Sequence, residues 1–290
     1  MSVFLLPPGA TTVPTFDDGW IVAGERRAPY LSYVGEASVN WSDELEHLHE
    51  ESSRTHFLDV WTRRSLLERI GAVPAAATIA DLGCSTGYLL EDLRSLHPDA
   101  SLIGVDLVAS GLRKAHQLVP SARLLQADVC ELPLVDGSVD AVVSANLLEH
   151  VPDDRLALAE IRRVLRPGGV VAIVVPAGPG TYDYYDRFLG HERRYARGEL
   201  AGKAREAGLE VVADRYLASL LYPPFWLVKQ RNRRRYGHLE GEQLEQRVAA
   251  DIAGTSDSRV GRILWRLESG LRLRLPFGIR NLVALRSAER

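Results

Sequence analysis

Four polar groups in this chain each follow a short apolar run, and their types and spacing suit the binding of a nucleoside. Asp81 and Gly83 close the run 78–82, Asp106 ends the run 102–105, Asp128 follows 122–126, and Asn146 follows 139–144. A carboxylate about 20 residues beyond a glycine turn is an acceptor suited to a ribose diol. The turn itself, Gly83-Cys-Ser-Thr-Gly87, brings bare backbone close to a ligand and points the N–H groups of the next helix at it. One Asp at a strand end is ordinarily a cap or turn former. Three in register, at one edge of a parallel sheet, mark the place where open α/β sheets bind nucleotides.

The elements that must position these groups alternate. Strands are expected near 78–82, 101–105, 122–126, 138–144 and 169–175, and helices near 87–96, 109–118 and 152–166. Pro167-Gly168-Gly169 is a turn signal after the last of these helices. A helix at 198–207, a strand at 209–215 and a last strand near 280–286 follow. Strand–helix alternation of this kind gives a parallel sheet with right-handed crossovers. Upstream, 42–70 reads as helical, with Ser42 as a cap, Leu45, Leu48, Phe57, Val60, Trp61 and Leu66 on one face, and residues 1–40 read as an extended segment without a clear period. Residues 216–277 are too long for a plain connection and are expected to form a partly helical lid.

Composition sets limits. A chain of 290 residues buries one enlarged core, and a net charge of −3 supplies no basic field for nucleic acid. Cys84 and Cys130 are too few for a disulfide scaffold; each follows a strand end, which would place them fairly near each other. The first residues lack the basic and apolar regions of a signal peptide, and no apolar run reaches the ~18 residues of a membrane span, so a cytoplasmic protein is expected. No His, Cys and Asp cluster falls at metal-ligand spacing, so no metal is expected.

Asp81-Leu-Gly-Cys-Ser-Thr-Gly87, Gly104-Val-Asp106, Ala127-Asp-Val129, Asn146-Leu-Leu-Glu-His150 and Leu165-Arg-Pro-Gly-Gly169 resemble, in order and spacing, the motifs of class I S-adenosylmethionine-dependent methyltransferases. Gly190-His-Glu-Arg-Arg-Tyr195 and Leu275-Pro-Phe-Gly278 resemble segments of its small-molecule members (the type 11 kind), so the resemblance runs from about residue 40 to the end. It implies a Rossmann-like sheet of seven mostly parallel strands with an antiparallel last strand and helices on both faces. A helical N-terminal cover (1–70), a core (71–215), a helical insertion (216–277) and a last core strand (278–290) complete that plan.

The resemblance also implies S-adenosyl-L-methionine as cofactor. Gly83, Cys84, Ser85 and Gly87 would wrap its methionine part, and Asp81 would take its ammonium. Asp106 and Leu107 would hold the ribose, Asp128 and the Val129 N–H the adenine, and Asn146 and Leu147 the floor near the methyl. Ser85 replaces a glycine frequent in the family, which is tolerable if its backbone angle is ordinary. A nicotinamide dinucleotide would want Gly-x-Gly-x-x-Gly instead.

His191 is the best candidate for a general base toward an acceptor hydroxyl; a packing histidine is the alternative. His150 would position cofactor or acceptor, or support the turn. Arg194 and Tyr195, with Arg193, would anchor an anionic acceptor, or form a solvated loop paired locally with Glu192 or Asp186. Tyr182 and Tyr185 would line the acceptor pocket, or pack, and Tyr33 and His56 would reach it from the N-terminal cover. The apolar 220–228 beside the basic 229–235 reads as a lid helix with a solvated basic end, or as a weak contact with a membrane surface or a lipid-linked acceptor. Val260, Ile263, Leu264, Leu267 and Leu271 fall at helical spacing and would cover the pocket or pair with a second subunit.

The expected function is methyl transfer to a small-molecule acceptor (oxygen first, carbon next) by a monomer or homodimer. A same-fold enzyme catalysing a cyclisation and a non-catalytic partner subunit are the alternatives. A nucleic-acid acceptor is not expected, because Asn146-Leu-Leu-Glu149 lacks the motif that holds a flipped base.

Overall fold

The computed structural model describes residues 3–24, 26–34, 54–254, 259–271 and 274–289. Its centre is a sheet built from β4 (Leu31–Ser32), β5 (Thr78–Leu82), β6 (Ser101–Asp106), β7 (Arg123–Gln126), β8 (Val139–Ala145), β9 (Leu165–Pro176), β10 (Leu209–Leu217) and β11 (Arg280–Ser287). The order across the sheet is β10-β11-β9-β8-β5-β6-β7-β4. Only β11 runs against its neighbours β9 and β10. β5 is buried along its whole length, as a strand covered on both faces must be.

Alternation along the strands splits the core into two layers. Ile79, Leu102, Leu124 and Val143 pack with α1 (Phe57–Ile70), α2 (Tyr88–Leu96) and α3 (Ala109–Leu118). Ala80, Leu82, Ile103, Leu125 and Val142 pack with α4 (Asp154–Val164) and α6 (Glu199–Glu206). Cys84 belongs to the first layer and Cys130 borders the second, so the two thiols are separated by the sheet rather than brought near each other. Both are free.

Three local features differ from the sequence expectation. The N-terminal segment is not simply extended: β1 (Thr15–Phe16), β2 (Trp20–Val22) and β3 (Arg26–Ala28) form a small antiparallel sheet, and β4 adds an eighth strand beside β7. An aromatic anchor explains this. Trp20 is 2% exposed, donates its indole N–H to Leu124 O at 3.0 Å and meets Phe4 and Phe16 edge-on. Secondly, Pro167-Gly168-Gly169 is carried inside β9 as a bulge, with register jumping from Val139↔Leu165 to Ala141↔Val170 and Gly168 at φ +74°. Thirdly, the helix expected over 42–70 is interrupted at His56, after which α1 begins at Phe57; the expected cap Ser42, with Leu45 and Leu48, lies outside the described residues, and that part of the expectation is untested.

The insertion is helical: α7 (Tyr222–Tyr236), α8 (Gly241–Gly254) and α9 (Arg259–Gly270). Its apolar residues do not cover the body, as the lid alternative expected, but face outward. Trp226, Leu227 and Val228 on α7, and Val260, Ile263 and Leu267 on α9 with Leu271 just beyond, are exposed. Inward-facing positions are Phe225 and Lys229 on α7, and Gly261, Trp265 and Glu268 on α9. Gly261 lies against Phe57, Trp265 stacks on Trp61 at 6.0 Å, and Glu268 accepts the Leu220 N–H. No helix among the described residues is long and apolar enough to cross a membrane.

Candidate active site

The glycine turn between β5 and α2 is clasped onto β6. Gly83 and Cys84 N–H groups both donate to Val105 O, at 2.8 and 3.1 Å, and Ser85 N–H donates to Asp106 Oδ2 at 2.8 Å. These three donors are therefore spent on the sheet rather than offered to a ligand. Ser85 sits at φ +45°, so its angle is not ordinary: a serine here holds the left-handed conformation that glycine occupies freely. Gly83, at φ +75°, has a second constraint, because a Cβ on it would stand 3.0 Å from Leu147 Cβ. The turn after β5 and the turn after β8 are thus in direct contact.

Asp81 is 1% exposed and neither carboxylate oxygen has a hydrogen-bond partner. Burial, reinforced by the Asp106 charge, holds its carboxyl well above the usual carboxylate range. Asp106 Oδ1 also accepts the Val108 N–H at 2.9 Å, so this carboxylate fixes the turns on both sides of it. Leu107 O accepts from the Gln126 side chain. Asp128 is exposed and accepts the Cys130 N–H through one oxygen, while Val129 is buried. Asn146 is at φ +52°, tied by its N–H to Val174 O. Tyr33 lies at the far edge of the sheet, where its N–H meets Gln126 O and its hydroxyl donates to Leu5 O at 2.8 Å. His56 is paired with Asp59 at 3.5 Å.

Beyond β8, the turn Leu148–His150 is stapled to the loop 190–195. Glu192 N–H donates to Glu149 O at 2.8 Å, and Arg193 donates to Val151 O and Pro152 O at 2.7 Å each. This brings His191 onto His150, ring centroids 4.6 Å apart and edge to face. His191 Nδ1 lies 2.8 Å from Asp186 Oδ1, which fixes the ring and leaves Nε2 as its other working atom. Asp186, in α5 (Tyr184–Phe188), is fully buried and forms a hub: Arg194 Nε donates to it at 2.7 Å and Lys229 Nζ lies 3.6 Å away, itself bonded to Asp183 at 2.7 Å. Burial alone would raise the Asp186 carboxyl. The His191 hydrogen bond and the two cations outweigh that and hold it well below the usual carboxylate range.

Two expected acceptor ligands are placed elsewhere. Tyr195 is fully buried, its hydroxyl donating to Asp154 Oδ2 at 2.7 Å and to Leu148 O at 3.2 Å, so it is a core residue. Arg194 is 8% exposed and committed to Asp186 and Thr181; it is neither solvated nor open to an anion. Tyr182 spends its hydroxyl on His191 O at 2.7 Å, and Tyr185 carries the Lys229 ammonium over its ring.

Glu149 escaped the sequence reading as a functional residue. It is 1% exposed, both its oxygens are without partners, and burial pushes its carboxyl up to about 7 against the pull of His191. The signal was available: a lone carboxylate within Leu147-Leu-Glu-His-Val151 has no apolar reason to be there. The expectation that no metal-ligand cluster exists rested on spacing along the chain. In space, single ligand atoms of Glu149, His150 and His191 lie within 4.8 Å of one another.

Comparison with known proteins places this geometry. Residues 80–173 match the methyltransferase domain family. Over 168 residues the chain is 35% identical to trans-aconitate 2-methyltransferase of Azoarcus sp. (strain BH72), covering 57% of this chain and 62% of that protein. Over 175 residues it is 32% identical to the ubiquinone/menaquinone biosynthesis C-methyltransferase UbiE of Syntrophotalea carbinolica, covering 50% of this chain and 74% of that protein. The chain belongs to the class I S-adenosylmethionine-dependent methyltransferases. It spans between 38% and 62% of the first three curated relatives that it matches. The phosphoethanolamine N-methyltransferase 2 of Haemonchus contortus, solved with S-adenosyl-L-methionine, shares the fold of this methyltransferase: TM-score 0.61 at 17% identity over 86% of this chain and 58% of that one.

The cofactor of the superfamily is S-adenosyl-L-methionine, and this chain fits it on one observation. The orphaned carboxylate of Asp81 beneath the glycine turn lacks the cation that would offset its burial, which an ammonium supplies.

Proposed function

We propose that this methyltransferase acts on a small-molecule acceptor and that the acceptor atom is an oxygen. The observation that carries the reading is the Asp186-oriented imidazole of His191 beside Glu149 and His150, on the loop whose Leu147 touches the glycine turn. Bound S-adenosylmethionine supplies an activated methyl on a sulfonium leaving group. The chain's own work is to hold the partners in line, keep water out and manage one proton. Asp81 faces the ammonium, Asp106 and Leu107 the ribose, and Asp128 with the Val129 N–H the adenine. Gly83, Cys84, Ser85 and Gly87 wrap the amino-acid end, and Asn146 and Leu147 form the floor. His191 takes the hydroxyl proton at Nε2 while Nδ1 stays on Asp186. Tyr182, Tyr185 and Phe225 wall the acceptor side.

The test is a panel of hydroxy acids, carboxylic acids, phenols and sugars incubated with methyl-labelled cofactor, with products located by mass spectrometry. Methyl ethers or esters are expected; transfer only to nitrogen or carbon sinks the oxygen assignment. His191→Ala is expected to lower turnover by about 10²–10⁴-fold with S-adenosylhomocysteine affinity unchanged. Undiminished turnover would make the histidine a packing residue.

A second reading concerns the acceptor's tail. Trp226, Leu227 and Val228 are exposed on α7 next to Arg231, Arg234 and Arg235, which supports a lipid-linked acceptor met at an anionic surface. Sedimentation with phosphatidylglycerol vesicles, lost in Leu227→Ser with Val228→Ser, would support it; no sedimentation of the parent chain would end it.

A further inference from the structure

We infer that Glu149, His150 and His191 form a binding site for one divalent cation of the zinc type. Three observations converge. The three side chains each offer a ligand atom, all within 4.8 Å of one another. A tetrahedral cation with ligand bonds of about 2.1 Å sets its ligands about 3.4 Å apart, so small side-chain rotations close the site. Glu149 is 1% exposed with both oxygens unpartnered, a state that a cation relieves directly. His191 has its Nδ1 on the Asp186 carboxylate at 2.8 Å, the carboxylate–histidine pairing that orients metal-ligating imidazoles and leaves Nε2 for the ion.

The surroundings keep this set intact. Asp186 is already engaged by Arg194 and Lys229, so it serves as the orienting group and not as a fourth ligand. Two staples, the Glu192 N–H on Glu149 O and the Arg193 guanidinium on Val151 O, fix the separation of the two segments that bring the ligands together. Two imidazoles and one carboxylate suit zinc and its first-row neighbours better than magnesium, which prefers oxygen ligands and retains its water. Three protein ligands leave a position for water or an acceptor oxygen.

The role of the ion rests on the oxygen-acceptor reading, whereas its binding does not. With a cation in place His191 would be a ligand, and the ion would lower the pKa of a bound acceptor hydroxyl so that its proton is lost to solvent water, replacing the base role of the imidazole. The chain then has two ways to the same alkoxide, and the metal content decides between them.

The test is calorimetric titration of the full chain, stripped with EDTA and dialysed, with zinc chloride, using magnesium chloride as control. One equivalent of zinc is expected to bind at micromolar affinity or tighter, and magnesium is not expected to compete. Glu149→Gln and His191→Ala are each expected to weaken zinc more than about 100-fold, and Asp186→Asn about 10–100-fold. Retained S-adenosylhomocysteine binding shows that each variant is folded. No zinc binding by the parent chain overturns the site, as does affinity that survives in both ligand variants. Cobalt(II) gives an independent reading on the unmodified protein. Tetrahedral d–d bands without thiolate charge transfer support these ligands, and a thiolate band assigns the metal to Cys84 or Cys130 instead. An acceptor screen that fails while zinc still binds removes the oxygen reading alone.

Discussion

The turns after β5, β6 and β7 and the loop-and-lid region over β8 hold their shape by different means. The first region is fixed by backbone donors over short ranges: Ser85 and Val108 N–H groups on Asp106, Cys130 N–H on Asp128, and Gly83 and Cys84 on Val105 O. The second is fixed by buried side-chain charges drawn from positions far apart, with Asp183 capping α5 and Asp186 on it, Arg194 on the following loop and Lys229 on α7. A carboxylate serving backbone N–H groups forms a rigid cradle that any sequence with the right turn can build. A carboxylate serving three side chains ties separate segments together and depends on each of them. Under the assignment proposed above, the cofactor and the acceptor are held by regions built on different principles, and that separation can be tested.

The sharpest way to break that separation is Lys229→Met. Removing the ammonium leaves Asp183 and Asp186 buried without it, at 4% and 0% exposure, and is expected to destabilise the fold by about 3 kcal/mol in denaturant unfolding. Calorimetric affinity for S-adenosylhomocysteine is expected to stay within about twofold. A large loss of cofactor affinity would show that the two regions form one unit.

A middle-sized effect concerns the joint between α1 and β11. Burial alone would raise the Asp59 carboxyl, but the Arg280 guanidinium 2.6 Å away and His56 outweigh it and hold the carboxyl at about 2, below its ordinary 3.8. A folded-state value below the unfolded one contributes stability above pH 3.8 that is lost as pH falls toward 2, here about 2 kcal/mol. Asp59→Asn is expected to flatten thermal stability across that window. An unchanged pH profile would remove the pair from the acid response.

The smallest effect sharpens the first region. Asp106→Ala is expected to weaken S-adenosylhomocysteine binding at least tenfold (about 1.4 kcal/mol), because the ribose acceptor and the anchor of Ser85 and Val108 go together. Unaltered affinity would mean that the ribose is held elsewhere.

The same division decided what the sequence revealed. Strand–turn–helix punctuation is local, so β5 through β8, with Asp81 and Asp106 on them and Asp128 just after β7, could be read from spacing and resemblance. The β9 bulge could not, because Pro-Gly-Gly signals a turn whether it ends a strand or folds within one. Which face of the insertion packs inward was hidden for a related reason. Val260, Ile263 and Leu267 repeat at helical spacing, yet the buried face is carried by Gly261, Trp265 and Glu268, where a glycine admits Phe57 and an acid caps Leu220 N–H. Lys229 was counted among the solvated basic residues, but it falls four positions after Phe225 and shares its inward face. Glu149 meets His191 only through the fold, across a separation that no local pattern records.

The short strand β4 has a consequence for how copies of this chain treat one another. A sheet that ends on the apolar β7 would offer its edge as a template for strand addition and aggregation; Leu31 and Ser32 cover it, beside the buried Trp20 that bonds Leu124 O on β7. The opposite edge, β10, is guarded by other means, with a register break between Val211 and Ala213 and exposed Glu210 and Asp214. The N-terminal residues thus work as a built-in edge guard, and a version of the protein trimmed to the fold's familiar core would trade solubility for brevity.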